Sequence, residues 1–175
     1  FTLLSSCASR QLEEVTFRRT VIPVQELLDA AGKYFKKLIK NRPERIELEI
    51  EPMEAKVIGD VNQLRFLLEN LIDEALTVRE DGVIRLQARK DNEYVRFLFT
   101  DTRREKSVEE LNQLFYPNLA RMTSGEKGEL RGTEYLVCKQ IIRDHDEFAG
   151  RRGCRINAEP AEGGGFTVYF TIPRR

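Results

Sequence analysis

Residues 97–117 read FLFTDTRREKSVEELNQLFYP and set a carboxylate, Asp101, at the end of an apolar strand. A carboxylate so placed can accept a hydrogen bond from a ligand's amino group, or be satisfied by the amides of its own turn. An acidic amphipathic helix follows, and the segment closes on the corner Phe115, Tyr116, Pro117. That outline looks like the wall of a nucleotide site. The turn itself is Thr102, Arg103, Arg104, Glu105, where a loop facing phosphate wants glycine so that backbone and ligand can come close. Other chemistry is missing from the sequence. It has no Walker A loop, no Ser/His/Asp set and no Cys/His metal spacing. Cys7, Cys138 and Cys154 are scattered without a CxxC pair and read as reduced core thiols.

The chain has 175 residues, 41% of them hydrophobic, which suits one domain with a real core. Lys+Arg and Asp+Glu each total 29, so nothing favours bulk attraction to nucleic acid or to a membrane surface. No apolar run approaches the roughly 18 residues that span a bilayer, and no signal peptide is visible. These features predict a cytoplasmic module without direct membrane contact. The start at Phe1 rather than Met suggests a piece of something longer.

The elements that must position Asp101 follow from periodicity. Leu27, Leu28, Ala31, Phe35, Leu38 and Ile39 predict an amphipathic helix over 24–40. The stretch before it, through Arg19, reads as the tail of another helix ended near Pro23. Ile46, Leu48 and Ile50 alternate with charges and predict a strand. After Val57, Ile58 and Gly59, Asp60 can cap a helix whose apolar face is Leu64, Leu67, Leu68, Leu71, Ile72 and Ala75. From Gly82 the period becomes two. Ile84, Leu86 and Ala88, a turn at Asp91–Asn92, then Val95, Phe97 and Phe99 make a hairpin. Ser107 and Glu110 form a capping-box pair opening a helix over 107–115. Residues 118–131 read as a mobile loop. A helix over 133–145 with Leu136, Val137 and Ile141 inward precedes a terminal hairpin. This order predicts a two-layer α/β sandwich, with a mixed, mostly antiparallel sheet and helices on one face.

With these elements in place, four segments resemble the ATP-binding domain of sensor histidine kinases, within the GHKL superfamily and its Bergerat-type fold. VIGDVNQLRFLLENLIDEAL is similar to the N-box helix, and FLFTDTRREKSVEELNQLFYP to the first glycine box and phenylalanine box. GTEYLVCKQIIRDH resembles the second glycine box with its helix, and GCRINAEPAEGGGFTVYFTIP the terminal hairpin. The resemblance covers roughly residues 20–173, in the family's order. It implies residues 21–175 as the ATPase domain and residues 1–20 as the end of a preceding helix or linker.

The resemblance also assigns roles. Asp101 takes the position of the aspartate that accepts from the adenine amino group, and Thr167 that of a threonine beside it. Glu74 stands where the family has an asparagine that coordinates Mg²⁺, with Asn70 one turn earlier on the same helix face. Glutamate can ligate Mg²⁺, but without the metal its charge repels a triphosphate. Thr77 replaces a lysine found in many kinases. Arg103 and Glu105 replace the two glycines after Asp101. In the second glycine box only Gly132 is kept, with Leu130 and Glu134 at the other glycine positions, unless a gap brings Gly128 into register. Such a loop would hold phosphates with backbone amides and a helix N-terminus. Arg103, Arg104 and Arg131 either clamp an anion or are solvated loop charges. The single histidine, His145, reads as a partly exposed residue at a helix C-terminus rather than a phosphoacceptor.

Asn70, Glu74, Asp101, Gly132 and Thr167 thus form a vestigial nucleotide site with no catalytic residue, and the expectation is a degenerate signalling module of bacterial type. No cofactor is expected. Its partner would be an upstream sensor or dimerisation segment of the same polypeptide, which could tether it to a membrane sensor, with a protein partner at 118–131 and no nucleic acid. The alternative is a working kinase domain that binds Mg-ATP through Glu74 and phosphorylates an upstream histidine.

Overall fold

The structure is a computed structural model and describes residues 16–117 and 132–175. The predicted loop 118–131, with Gly128, Leu130 and Arg131, and the residues up to 15 lie outside the described residues. Among the described residues eleven elements follow in order: β1 (Thr20–Pro23), α1 (Val24–Ile39), β2 (Ile46–Ile50), β3 (Lys56–Gly59), α2 (Val61–Ala75), β4 (Gly82–Asp91), β5 (Tyr94–Asp101), α3 (Val108–Asn112), α4 (Glu134–Phe148), β6 (Ile156–Pro160) and β7 (Phe166–Pro173). Five strands form one sheet in the order β2-β4-β5-β7-β6, and β1 pairs with β3 in a second, two-stranded sheet. Within the larger sheet only β2–β4 is parallel.

Alternation along each strand decides what the sheet buries. Ile84, Leu86 and Ala88 on β4, Val95, Phe97 and Phe99 on β5, and Phe166, Val168, Phe170 and Ile172 on β7 are all buried. The other face carries charge. Arg85 meets Glu49 at 3.1 Å and Arg89 meets Glu51 at 3.4 Å, all four side chains about half exposed. The buried face and the helices share one core, in which Leu64, Leu67, Leu68 and Leu71 of α2 join Phe97 and Phe170. Those two rings, register partners, stack at 4.8 Å and 4°. The predicted two-layer arrangement is therefore present, with Leu68 and Phe97 both buried.

Local signals fix the element ends. Asp60 caps α2 through Oδ1, which accepts from the Asn62 and Gln63 amides at 3.0 and 3.1 Å. Ser107 and Glu110 exchange both bonds of a capping box. Asn92, with φ of 56°, turns β4 into β5. The helix tail read through Arg19 lies largely outside the described residues, and residues 20–23, between it and α1, are β1, antiparallel to β3. Thr20, Val21 and Ile22 are all β-branched and suit a strand, whereas Pro23 ends the strand at the start of α1. On α4 the buried face is Tyr135, Cys138, Ile141, Ile142 and His145, while Leu136 and Val137 are only half-buried. Phe17 reaches this face, edge-on to His145 at 4.9 Å.

Candidate functional site

The end of β5 brings Asp101 between the C-terminal end of α2 and the start of β4, with register partners Ile84 and Phe166. Its side chain is 5% exposed, so its charge needs a partner. The partner is Arg103. The Arg103 amide donates to Asp101 Oδ1 at 3.0 Å, closing a short turn. The Arg103 guanidinium folds back over the same carboxylate, Nε donating to Oδ1 and Nη2 to Oδ2, both at 2.9 Å. Such fork-to-carboxylate pairs are among the strongest hydrogen-bonded contacts in proteins. Nη1 donates to the carbonyls of Val78 at 2.9 Å and Glu80 at 3.0 Å, and Nη2 to that of Ala75 at 2.6 Å. A guanidinium has five N–H donors, and all five are used. The Arg103 side chain is 1% exposed.

The expected role of Asp101 as an acceptor for an outside amino group is thereby taken by a residue of its own turn. Gly82 confirms how tightly the stem packs: a β-carbon there would lie 2.5 Å from Arg103 Cγ. Arg103 and Glu105 do not adopt the left-handed backbone open to glycine, since Asn92 is the one non-glycine residue with positive φ among the described residues. The turn has an ordinary backbone conformation at both positions. Arg104, the second candidate anion clamp, is exposed and paired with Glu80 at 2.6 Å.

Thr167 is not beside the Asp101 carboxylate. Its register partner is Thr100, and their hydroxyls are 2.7 Å apart. Because side chains alternate, both threonines lie on the face opposite Asp101. The two expected adenine contacts therefore stand on opposite faces of the sheet, one residue apart in register.

The other end of the site is acidic. Asn70 is buried and its amide donates back to the Phe66 carbonyl at 2.8 Å, one turn earlier. Glu74 and Glu134 both lie close enough to Cys138 to raise its thiol pKa, after burial as the main cause. Glu134 Oε2 is buried without a hydrogen-bond partner among the described residues. Asp73, held by the Tyr34 hydroxyl at 2.6 Å, is raised by burial and further by Glu134. Thr77, at the lysine position, spends its hydroxyl on the Glu74 carbonyl at 2.7 Å. Gly132 has φ of 74°, as a tight entry to α4 allows. Among the described residues, no group of three or more His, Cys, Asp and Glu could hold a metal ion. At this end the described residues therefore present the carboxylates of Glu74 and Glu134, while the Arg103 guanidinium lies on Asp101 at the other.

His145, expected to be partly exposed, is fully buried. Its Nε2 accepts from the Asp60 amide at 3.0 Å, so Nδ1 carries the proton and donates to the Ile141 carbonyl at 2.8 Å. It ties α4 to the start of α2. The Arg103 plug was the feature that sequence reasoning missed. An arginine two residues after a strand-end aspartate, in place of glycine, was the signal that could have found it.

The profile of the family described as "Histidine kinase-, DNA gyrase B-, and HSP90-like ATPase" matches residues 59–175, and the chain belongs to that family. The fold is shared with solved histidine kinases. The nucleotide-free catalytic domain of histidine kinase ThkA is 23% identical with a TM-score of 0.69, the alignment covering 90% of this chain and 98% of that one. The mycobacterial sensor histidine kinase MprB is 19% identical with a TM-score of 0.68, covering 90% and 99%. ThkA in complex with the response regulator protein TrrA is 20% identical with a TM-score of 0.68, covering 99% of this chain and 48% of that one. No curated protein matches the sequence. Among the described residues no helix is long and apolar enough to cross a membrane.

Proposed function

We propose that this histidine kinase-like ATPase domain is catalytically degenerate and works by binding other protein segments, with weak or no binding of ATP. The observation that supports this most is the Arg103 guanidinium on Asp101. It engages both oxygens of the carboxylate that a nucleotide base would need, and its own five donors are all used. The acidic pair Glu74 and Glu134 at the other end adds to the reading. The partner would be an upstream sensor or dimerisation segment of the same cytoplasmic polypeptide. The fold it shares with ThkA, a kinase solved in complex with a response regulator, is consistent with a surface that meets proteins. Titration calorimetry of the 175-residue chain with Mg-ATP tests the proposal. No heat of binding at submillimolar nucleotide is expected, and a dissociation constant in the low micromolar range overturns it.

A further inference from the structure

The contacts of Arg103 say what kind of pocket it closes. Five acceptors converge on one planar group: the two Asp101 oxygens and the carbonyls of Ala75, Val78 and Glu80. A pocket with one negative charge and three inward carbonyls offers only acceptors. A purine edge carries acceptors of its own beside its amino group, and these would face carbonyl oxygens without a donor between them. A guanidinium has donors only, in the planar fork that this arrangement matches. We infer that the site has become a guanidinium receptor with Arg103 as its permanent internal ligand, selective for small planar cations over purines. The inference deepens the degenerate reading of this site and rests on it.

The internal ligand also has a mechanical role. Ala75 ends α2, Val78 and Glu80 lie in the loop to β4, and Asp101 ends β5. Arg103 joins all three segments, and its stem lies against Gly82. Removing the side chain leaves a buried carboxylate without a cation and the Val78 and Glu80 carbonyls without their donor, while Ala75 keeps only the Val78 amide at 3.2 Å, so the segments should loosen.

The test uses Arg103→Gly in the full 175-residue chain. Its Tm is expected to fall by roughly 10 °C, as loss of one partner of a buried ion pair predicts for this size. Methylguanidinium at millimolar concentration should restore several degrees and give a calorimetric dissociation constant. Methylammonium, with the same charge but no fork, should restore at least about tenfold less at equal concentration, and adenosine should not bind. Binding of adenosine by Arg103→Gly without binding of methylguanidinium would mean a plugged purine pocket and overturns the inference. Binding of neither overturns it as well. Should the variant be unfolded alone, refolding by methylguanidinium but not methylammonium supports the inference, and no refolding by either counts against it. None of these outcomes touches the wild-type Mg-ATP titration, so failure here and failure of the degenerate reading are separate results.

Discussion

His145 Nε2 accepts the backbone amide of Asp60 at 3.0 Å, across 85 residues of sequence, and so clamps the end of one helix to the start of another. The same ring explains why residue 59 is glycine. A β-carbon at Gly59 would lie 2.7 Å from His145 Nε2 and 3.1 Å from Leu64 Cδ1. Gly59→Ala is expected to destabilise the domain by about 1–3 kcal/mol, as overpacking in a tight core does. In a double-mutant cycle followed by urea unfolding, His145→Ala should relieve part of that cost. Strict additivity would mean that the two residues do not meet as described.

Asp101 should matter for stability rather than for nucleotide affinity. Asp101→Asn removes the charge that holds the buried Arg103 guanidinium, a loss expected to cost about 3–5 kcal/mol. Chemical denaturation should show the drop, while calorimetry with Mg-ATP stays flat in both proteins. A stable Asp101→Asn variant would contradict the buried pair.

The core contact between α2 and the sheet sets a third expectation. Leu68 is 1% exposed and shares its core with Phe97. Leu68→Ala should cost roughly 2–5 kcal/mol by the usual cost of a buried leucine truncation. Thermal unfolding of the variant beside Phe66→Ala checks the direction, since Phe66 is exposed and its loss should cost little.

Alkaline pH should weaken the fold. Burial pushes the Cys154 thiol up to about 12 from an ordinary 9.0, with Asp146 as a second cause. Burial likewise raises Cys138, aided by Glu134 and Glu74, and raises Tyr34, aided by Asp73. Groups with raised folded-state values hold their protons longer in the native state. Their contribution is therefore complete below about pH 9 and is lost as the pH rises toward about 12. Urea midpoints measured from pH 7 to pH 11 should fall above pH 9. At pH 8 neither thiol should react with a thiol-specific reagent until the chain unfolds, as mass spectrometry of the labelled peptides would show.

The parts of this molecule that were legible in the sequence are those set by period and by local capping. Leu64 to Ala75 at helical spacing and Ile84 to Phe99 at alternate positions needed no partner information, and Asp60 and Ser107 cap residues two or three positions away. What sequence reading lost depended on distance. β1 is four residues long and exists because β3 pairs with it, so no local period announced it. His145 looked like a helix-end residue because its partner is Asp60. Thr167 was placed on the wrong face because motif order does not give strand register. Arg103 sits two residues from Asp101, yet its carbonyl partners are 23 to 28 residues earlier. A glycine-to-arginine exchange shows that a ligand-facing loop has changed, but not that the arginine has become the occupant.

β2 is the one parallel strand of the large sheet, joined to β4 through β3 and α2. A hairpin such as β4–β5 can close from its own turn at Asn92, whereas β2 can pair only after α2 has crossed the sheet and carried the chain back. Its closure therefore bears the larger loop entropy and belongs late on the folding route. Among the described residues it pairs along one edge only, so it has fewer backbone bonds to lose when the sheet begins to open. The amides of β2 are expected to exchange with solvent well before those of β5 and β7, so that the sheet loosens from its parallel edge inward.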